Sequence, residues 1–222
     1  MSFCLSIEAA VFDMDGLLID SEPYWEQGEK SVFSELGLDL NLAKNLPDTL
    51  GLRIDQVVEL WYQASPWQGT SKSEVEQRII NYVVQSVEKN RPLLPGVEHA
   101  LNLCRECGLK IGLASASPYE MIEKVLGLFN LRHYFDVIVS AAHLPYSKPH
   151  PEVYLLAASQ LGVNPINCLT LEDSFNGMIA TKAARMRSIV VPAAHHFDDP
   201  RWSLADIKLN SLEKLTLKNI TE

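Results

Sequence analysis

A doubly wound α/β domain with a parallel sheet, carrying a small α-helical domain inserted after its first strand, is the architecture this sequence predicts. Two observations carry the prediction. Short apolar runs at 9–12, 109–114, 136–140, 167–171 and 188–191 read as strands, and helical patterns at about 97–107, 118–128, 151–161 and 174–185 alternate with them. Between the first run and Arg91-Pro92-Leu93-Leu94-Pro95-Gly96 the alternation stops and only helical patterns remain. The expected division is a core of residues 1–20 and 92–222 with a helical domain at 21–91.

The first strand ends in Phe12-Asp13-Met14-Asp15-Gly16. Residues i and i+2 of an extended chain point to the same side, so Asp13 and Asp15 would face one reacting centre. One carboxylate of such a pair can be a covalent nucleophile and the other a general acid/base, if their surroundings separate their pKa values. The plain alternative is a pair of turn-forming carboxylates. In the insertion, helices are expected at 22–36 and 73–90, and Ile54, Val57, Val58 and Trp61 fall at i, i+3, i+4 and i+7 of another.

The second strand ends in Ser115-Ala116-Ser117-Pro118, with Pro118 suited to the first turn of a helix. Hydroxyls at a helix N-terminus suit an anion, although Ser117 serves equally well as a cap. Lys148 stands between the turn residues Ser147 and Pro149, and the strand at 167–171 runs into Glu172-Asp173-Ser174, a second acidic pair that also suits a cap for a helix beginning near Asn176. Open α/β sheets bind ligands beyond the carboxyl ends of their strands, where these motifs fall.

The 222 residues are 47% hydrophobic and 21% charged, ordinary for a globular chain. A net charge of −9 argues against nucleic acid or an anionic membrane as partner, because either repels the chain at long range. An anionic substrate is compatible only if local donors and a metal reverse the sign within the site. No apolar run reaches the roughly 20 residues of a membrane span. Residues 1–8 lack a basic flank and are not expected to be a signal peptide, which points to a cytoplasmic protein. Cys104 and Cys107 are spaced like a redox or zinc pair, but no second pair accompanies them. Cys104 shares a helix face with Val97, Ala100 and Leu101, so buried reduced thiols are expected. His195-His196-Phe197-Asp198-Asp199 is expected to be a solvated loop.

Taken in order, Phe12-Asp13-Met14-Asp15-Gly16 with Asp20-Ser21-Glu22, Ser115-Ala116-Ser117, Lys148-Pro149-His150-Pro151 and Glu172-Asp173-Ser174 resemble the haloacid-dehalogenase-like phosphohydrolases. The resemblance runs from about Ala9 to near Asp206, in the branch holding β-phosphoglucomutase and the small sugar-phosphate phosphatases. It implies a Rossmann-like core, a cap at 21–91 that excludes water and reads the leaving group, and Mg²⁺-dependent hydrolysis of small sugar or sugar-alcohol phosphates. Asp13 is then the nucleophile that forms an aspartyl-phosphate, and Asp15 the general acid/base. Ser115, the Ala116 main-chain N–H and Lys148 hold the phosphoryl group. Mg²⁺ is held by the Asp13 carboxylate, the Asp15 carbonyl and Asp173, with Glu172 behind a metal-bound water.

By the same resemblance Arg53 faces the site and contacts substrate hydroxyls; the plain alternative is an exposed first-turn helix residue. The expected partner is a small phosphorylated sugar or polyol, bound by a monomer or weak homo-oligomer. Two other readings differ in kind. A phosphomutase of this branch carries a cap-hinge histidine where an ungapped count from Asp13 places Trp25, and its cap arginine lies one residue later than Arg53. A catalytically silent binding module usually lacks the nucleophile, and Asp13 is present.

Overall fold

The computed structural model describes residues 6–221. Of the N-terminal stretch 1–8, residues 1–5 lie outside the described residues.

Six parallel strands form one sheet in the order β3-β2-β1-β4-β5-β6. They are β1 (Ala9–Phe12), β2 (Lys110–Ser115), β3 (Val137–Ser140), β4 (Cys168–Glu172), β5 (Arg187–Val190) and β6 (Ile207–Lys208). The first five lie within one residue of their expected bounds. β6, two residues long beside β5, is too short to leave a periodic signal. β1 is central and wholly buried, pairing with β2 on one side and β4 on the other. Its alternating side chains feed two layers. Ala10 and Phe12 enter the core packed by α4 (Val97–Glu106) and α5 (Tyr119–Leu128), while Ala9 and Val11 enter the one packed by α6 (Glu152–Leu161) and α7 (Phe175–Ala183). Because the chain winds outward in both directions from β1, the carboxyl end of β1 is the topological switch point where such sheets bind ligands.

Between β1 and α4 the described chain is helical: α1 (Glu22–Glu35), α2 (Ile54–Ala64) and α3 (Lys72–Asn90), joined by turns. Ile54, Val57, Val58 and Trp61 are all buried, as their spacing required. They meet Val32 and Phe33 of α1 and Val75 and Ile79 of α3 in a separate apolar cluster, within which Phe33 stacks on Trp61 at 4.5 Å. The Ser71 hydroxyl caps α3 by accepting from Glu74 N at 3.1 Å. Where the chain leaves and re-enters the sheet, its two crossings run side by side: Asp20 N donates to Pro92 O at 2.8 Å and Leu94 N to Leu18 O at 2.9 Å.

No helix among the described residues is long and apolar enough to cross a membrane. Cys104, Cys107 and Cys168 are free thiols, and burial pushes Cys104 up to about 12. A thiol held neutral in this way is a packing residue. His195 and His196 are exposed, as expected of a loop.

Candidate active site

Asp13 continues the β1 ladder by one residue, its N–H donating to Leu171 O at 3.0 Å. The chain then turns at Gly16, whose φ of +72° suits glycine. The missing side chain also makes room, since a Cβ on Gly16 would lie 1.9 Å from Asp173 Oδ2. The carboxyl ends of β1 and β4 are thereby brought into contact. Asp13, Asp15, Ser115, Ala116, Lys148 and Asp173 all line one cavity of about 960 Å³ between the sheet and the helical insertion. Six residues drawn from four parts of the sequence thus share one floor.

The two carboxylates of the first motif have different surroundings. Asp13 is buried, and its Oδ1 lies 2.8 Å from Lys148 Nζ in an ion pair that lacks hydrogen-bond alignment. Burial pushes Asp13 up to about 7, against the pull of Lys148 and with the help of Glu172 and Asp15. Asp15 is instead ringed by donors. Its Oδ1 accepts from Ser21 Oγ at 2.7 Å and Trp25 Nε1 at 3.0 Å, and its Oδ2 from Ser117 Oγ at 2.7 Å and Ser115 Oγ at 3.4 Å. Ser117 therefore serves Asp15 rather than a helix. The N-cap of α5 is Pro118 itself, which stands just before the first turn instead of within it.

Glu172 does not line the cavity; it holds the residues that do. Its Oε1 accepts from Lys148 Nζ at 2.6 Å and Tyr154 Oη at 2.5 Å, and its Oε2 from the main-chain N–H groups of Asp173 and Ser174 and from Ser174 Oγ. With five donors this carboxylate is saturated. Lys148 is fully buried; burial opposes its charge, but Asp13 and Glu172 outweigh that and hold it above the ordinary lysine value. Burial, then Glu172 and Glu22, hold Asp173 well above the usual carboxylate range. Carboxylate oxygens of Asp13, Glu172 and Asp173 lie within 4.8 Å of one another, a group that could hold a metal ion. Ser174 also caps α7, accepting from Gly177 N at 3.0 Å.

Arg53 does not line the cavity, and it is half-buried rather than exposed. Placed at the N-cap of α2, it pairs with both oxygens of Asp55, at 2.6 and 2.8 Å, and donates to the Ala141 and Leu144 carbonyls at 2.7 and 2.8 Å. It fastens the insertion to the loop after β3. Asn176 Nδ2 on Leu50 O at 2.8 Å and Arg201 on Asp48 at 2.9 Å fasten it on the opposite side.

Four residues missed from sequence complete the site. Tyr154 reads as core because Val153, Ala157, Ala158 and Leu161 share its face of α6. Trp25 stands out in the sequence only for not being histidine, and its indole donation to Asp15 depends on how α1 docks. Glu22 and Glu29 line the cavity from α1, spaced i and i+7 on its inner face. Burial, helped by Glu26, pushes Glu29 up to about 7 despite Lys30. Such a raised value gives stability that is full below about pH 4 and is lost as pH rises through 7. Glu29→Gln should therefore gain on wild type with pH, its melting temperature rising by about 2–4 °C relative to wild type between pH 5 and pH 8. Parallel melting curves across that range would refute the burial of this carboxylate.

The chain is 60% identical over 220 residues to hexitol phosphatase B of Escherichia coli K12, covering 99% of both chains. It is 31% identical over 183 residues to fructose-1-phosphate phosphatase of the same organism, covering 82% of this chain and 94% of that one. Among solved structures, β-phosphoglucomutase from Clostridium difficile superposes with a TM-score of 0.82 at 27% identity, covering 96% and 95% of the two chains. Residues 10–191 match the haloacid dehalogenase-like hydrolase family, and with this floor of carboxylates, serine and lysine at the carboxyl ends of its strands the chain belongs to that family.

Proposed function

We propose that this chain is a phosphatase of small sugar and sugar-alcohol phosphates, with residues 21–91 as the cap over the site. The carrying observation is the contrast between Asp13, paired with a buried lysine, and Asp15, held by neutral donors. In-line attack by Asp13 on phosphorus breaks the bond to the leaving oxygen and leaves an aspartyl-phosphate. Asp15 gives its proton to the departing alkoxide and then takes one from the water that attacks phosphorus, freeing Asp13 and inorganic phosphate. The mobile proton belongs on Asp15 Oδ2. An indole N–H can only donate, so Trp25 keeps Oδ1 an acceptor, whereas the hydroxyls on Oδ2 can turn to accept. Ser115, the Ala116 N–H and Lys148 are assigned to the phosphoryl oxygens, and Glu172 with Tyr154 to holding Lys148.

The donor set fits Mg²⁺. All the donors are oxygen, Asp13 Oδ1 is buried without a hydrogen bond, and Lys148 is one cation facing three acids. The Asp13 carboxylate, the Asp15 carbonyl and Asp173 would hold the ion, with Glu172 behind them; when bound, it offsets the charge of nucleophile and phosphate. A cytoplasmic setting belongs to the same reading, supported by the free thiols.

The mutase reading differs in what happens after the first transfer. Incubation with β-glucose 1-phosphate and a trace of β-glucose 1,6-bisphosphate should release free phosphate without accumulating glucose 6-phosphate. Efficient glucose 6-phosphate formation without matching phosphate release would overturn the assignment.

A further inference from the structure

The cavity above the reaction centre has a one-sided charge. Its lining holds Asp20, Glu22, Glu26, Glu29, Asp48 and Glu213 in addition to the acids of the floor. Against them stand Lys148, already committed to Asp13 and Glu172, and the imidazoles of His195 and His196; no arginine among the described residues lines the space. Glu26 is neutralised by Lys30. Glu22 and Glu29 are partly buried and make no hydrogen bond or ion pair among the described residues. Both carboxyls face the cavity, and burial with their acidic neighbours raises Glu22 to about 8 and Glu29 to about 7. An occupant of the cavity can supply the partners that the protein does not. A hydroxyl both donates and accepts, so it satisfies a carboxyl group in either protonation state. A second phosphate or carboxylate on the substrate would meet repulsion and find no free cation.

We propose that Glu22 and Glu29 are specificity-determining residues that hydrogen-bond the hydroxyls of an uncharged polyol or sugar leaving group and reject substrates carrying a second anionic group. Seven residues of helix separate them by about 10 Å along the axis, a span suited to an extended hexitol chain. Trp25 lies between them on the same face, its ring edge tied to Asp15. The inference rests on the phosphatase reading and narrows it.

The test compares kcat/KM for a hexitol 6-phosphate, p-nitrophenyl phosphate, fructose 1,6-bisphosphate and phosphoglycolate with Mg²⁺ present. Wild type should prefer the hexitol monophosphate over the bisphosphate and phosphoglycolate by about a hundredfold or more. Glu29→Ala should lower the ratio of hexitol phosphate to p-nitrophenyl phosphate about tenfold, chiefly through KM, because the second ester has no hydroxyls to lose. At pH 9, above the raised values of both carboxyls, Glu29→Gln, alone and with Glu22→Gln, should raise the bisphosphate relative to the monophosphate about tenfold, because charge is removed while hydrogen bonding remains. Ratios within one variant are insensitive to a general loss of activity. A wild-type enzyme that uses the bisphosphate as readily as the monophosphate, or ratios that stay at the wild-type value in the variants, would overturn the proposal. If no ester is hydrolysed, p-nitrophenyl phosphate included, the phosphatase reading itself fails and takes this wall with it.

Discussion

Asp13→Asn is expected to lower phosphate release by about 10⁴-fold or more, the scale seen when a covalent nucleophile is lost. The fold should survive. An amide of nearly the same shape replaces a carboxylate that burial has already pushed up to about 7, so removing its charge relieves the site rather than leaving an orphan ion. Lys148 keeps Glu172 at 2.6 Å as its counter-charge, and Glu172 keeps Tyr154 and two main-chain N–H groups. A melting temperature at or above that of wild type, with turnover reduced to background, is the expected pair of results. A folded Asp13→Asn variant that still releases phosphate near the wild-type rate would end the covalent mechanism. Asp15 offers a useful contrast: the four side chains around it would still hold an asparagine, but proton transfer would stop, so loss should be greatest with alkyl leaving groups that need protonation.

The parts of this site that were legible in the sequence are those set by local chain direction. The i, i+2 spacing of Asp13 and Asp15 at the end of an apolar run is a statement about one strand, and the same holds for Ser115 and Asp173 on theirs. A parallel sheet with short crossovers then brings strand ends together whatever their distance in sequence. Arg53 shows where this stops. Its pairing with Asp55 is local, but the Ala141 and Leu144 carbonyls it grips are 88 and 91 residues away, and only the docking of the insertion brings them within reach. Tyr154 was hidden for another reason. A buried tyrosine on an apolar helix face gives the same periodic signal whether its hydroxyl serves a glutamate or nothing. Glu22 and Glu29 were illegible because acids seven residues apart on an amphipathic helix ordinarily face water, and here that face looks into the cavity.

Removing divalent metal is expected to abolish turnover, and adding Mg²⁺ to the stripped protein should raise its melting temperature without any substrate. Asp13, Glu172 and Asp173 bring three carboxylates within 4.8 Å, and among the described residues Lys148 is the one buried cation paired with them. Burial, and then the neighbouring carboxylates of Glu172, Glu22 and Asp13, hold Asp173 well above the usual carboxylate range. A dianionic phosphate entering this floor would make it worse, so binding and attack both need a further positive charge. Anything that binds the folded chain and not the unfolded one stabilises it, by about 2.7 kcal/mol at a hundredfold excess over Kd, which for a chain of this size is about 5–10 °C. Asp173→Asn should erase the Mg²⁺-dependent rise while leaving the melting temperature of the stripped protein no lower than wild type. Ca²⁺ should reproduce part of the thermal shift but support little turnover, because its larger and more flexible coordination sphere constrains the attacking carboxylate less. Full activity in chelator, or a thermal shift that persists in the Asp173→Asn variant, would show that the acidic floor is balanced by some means other than a metal ion.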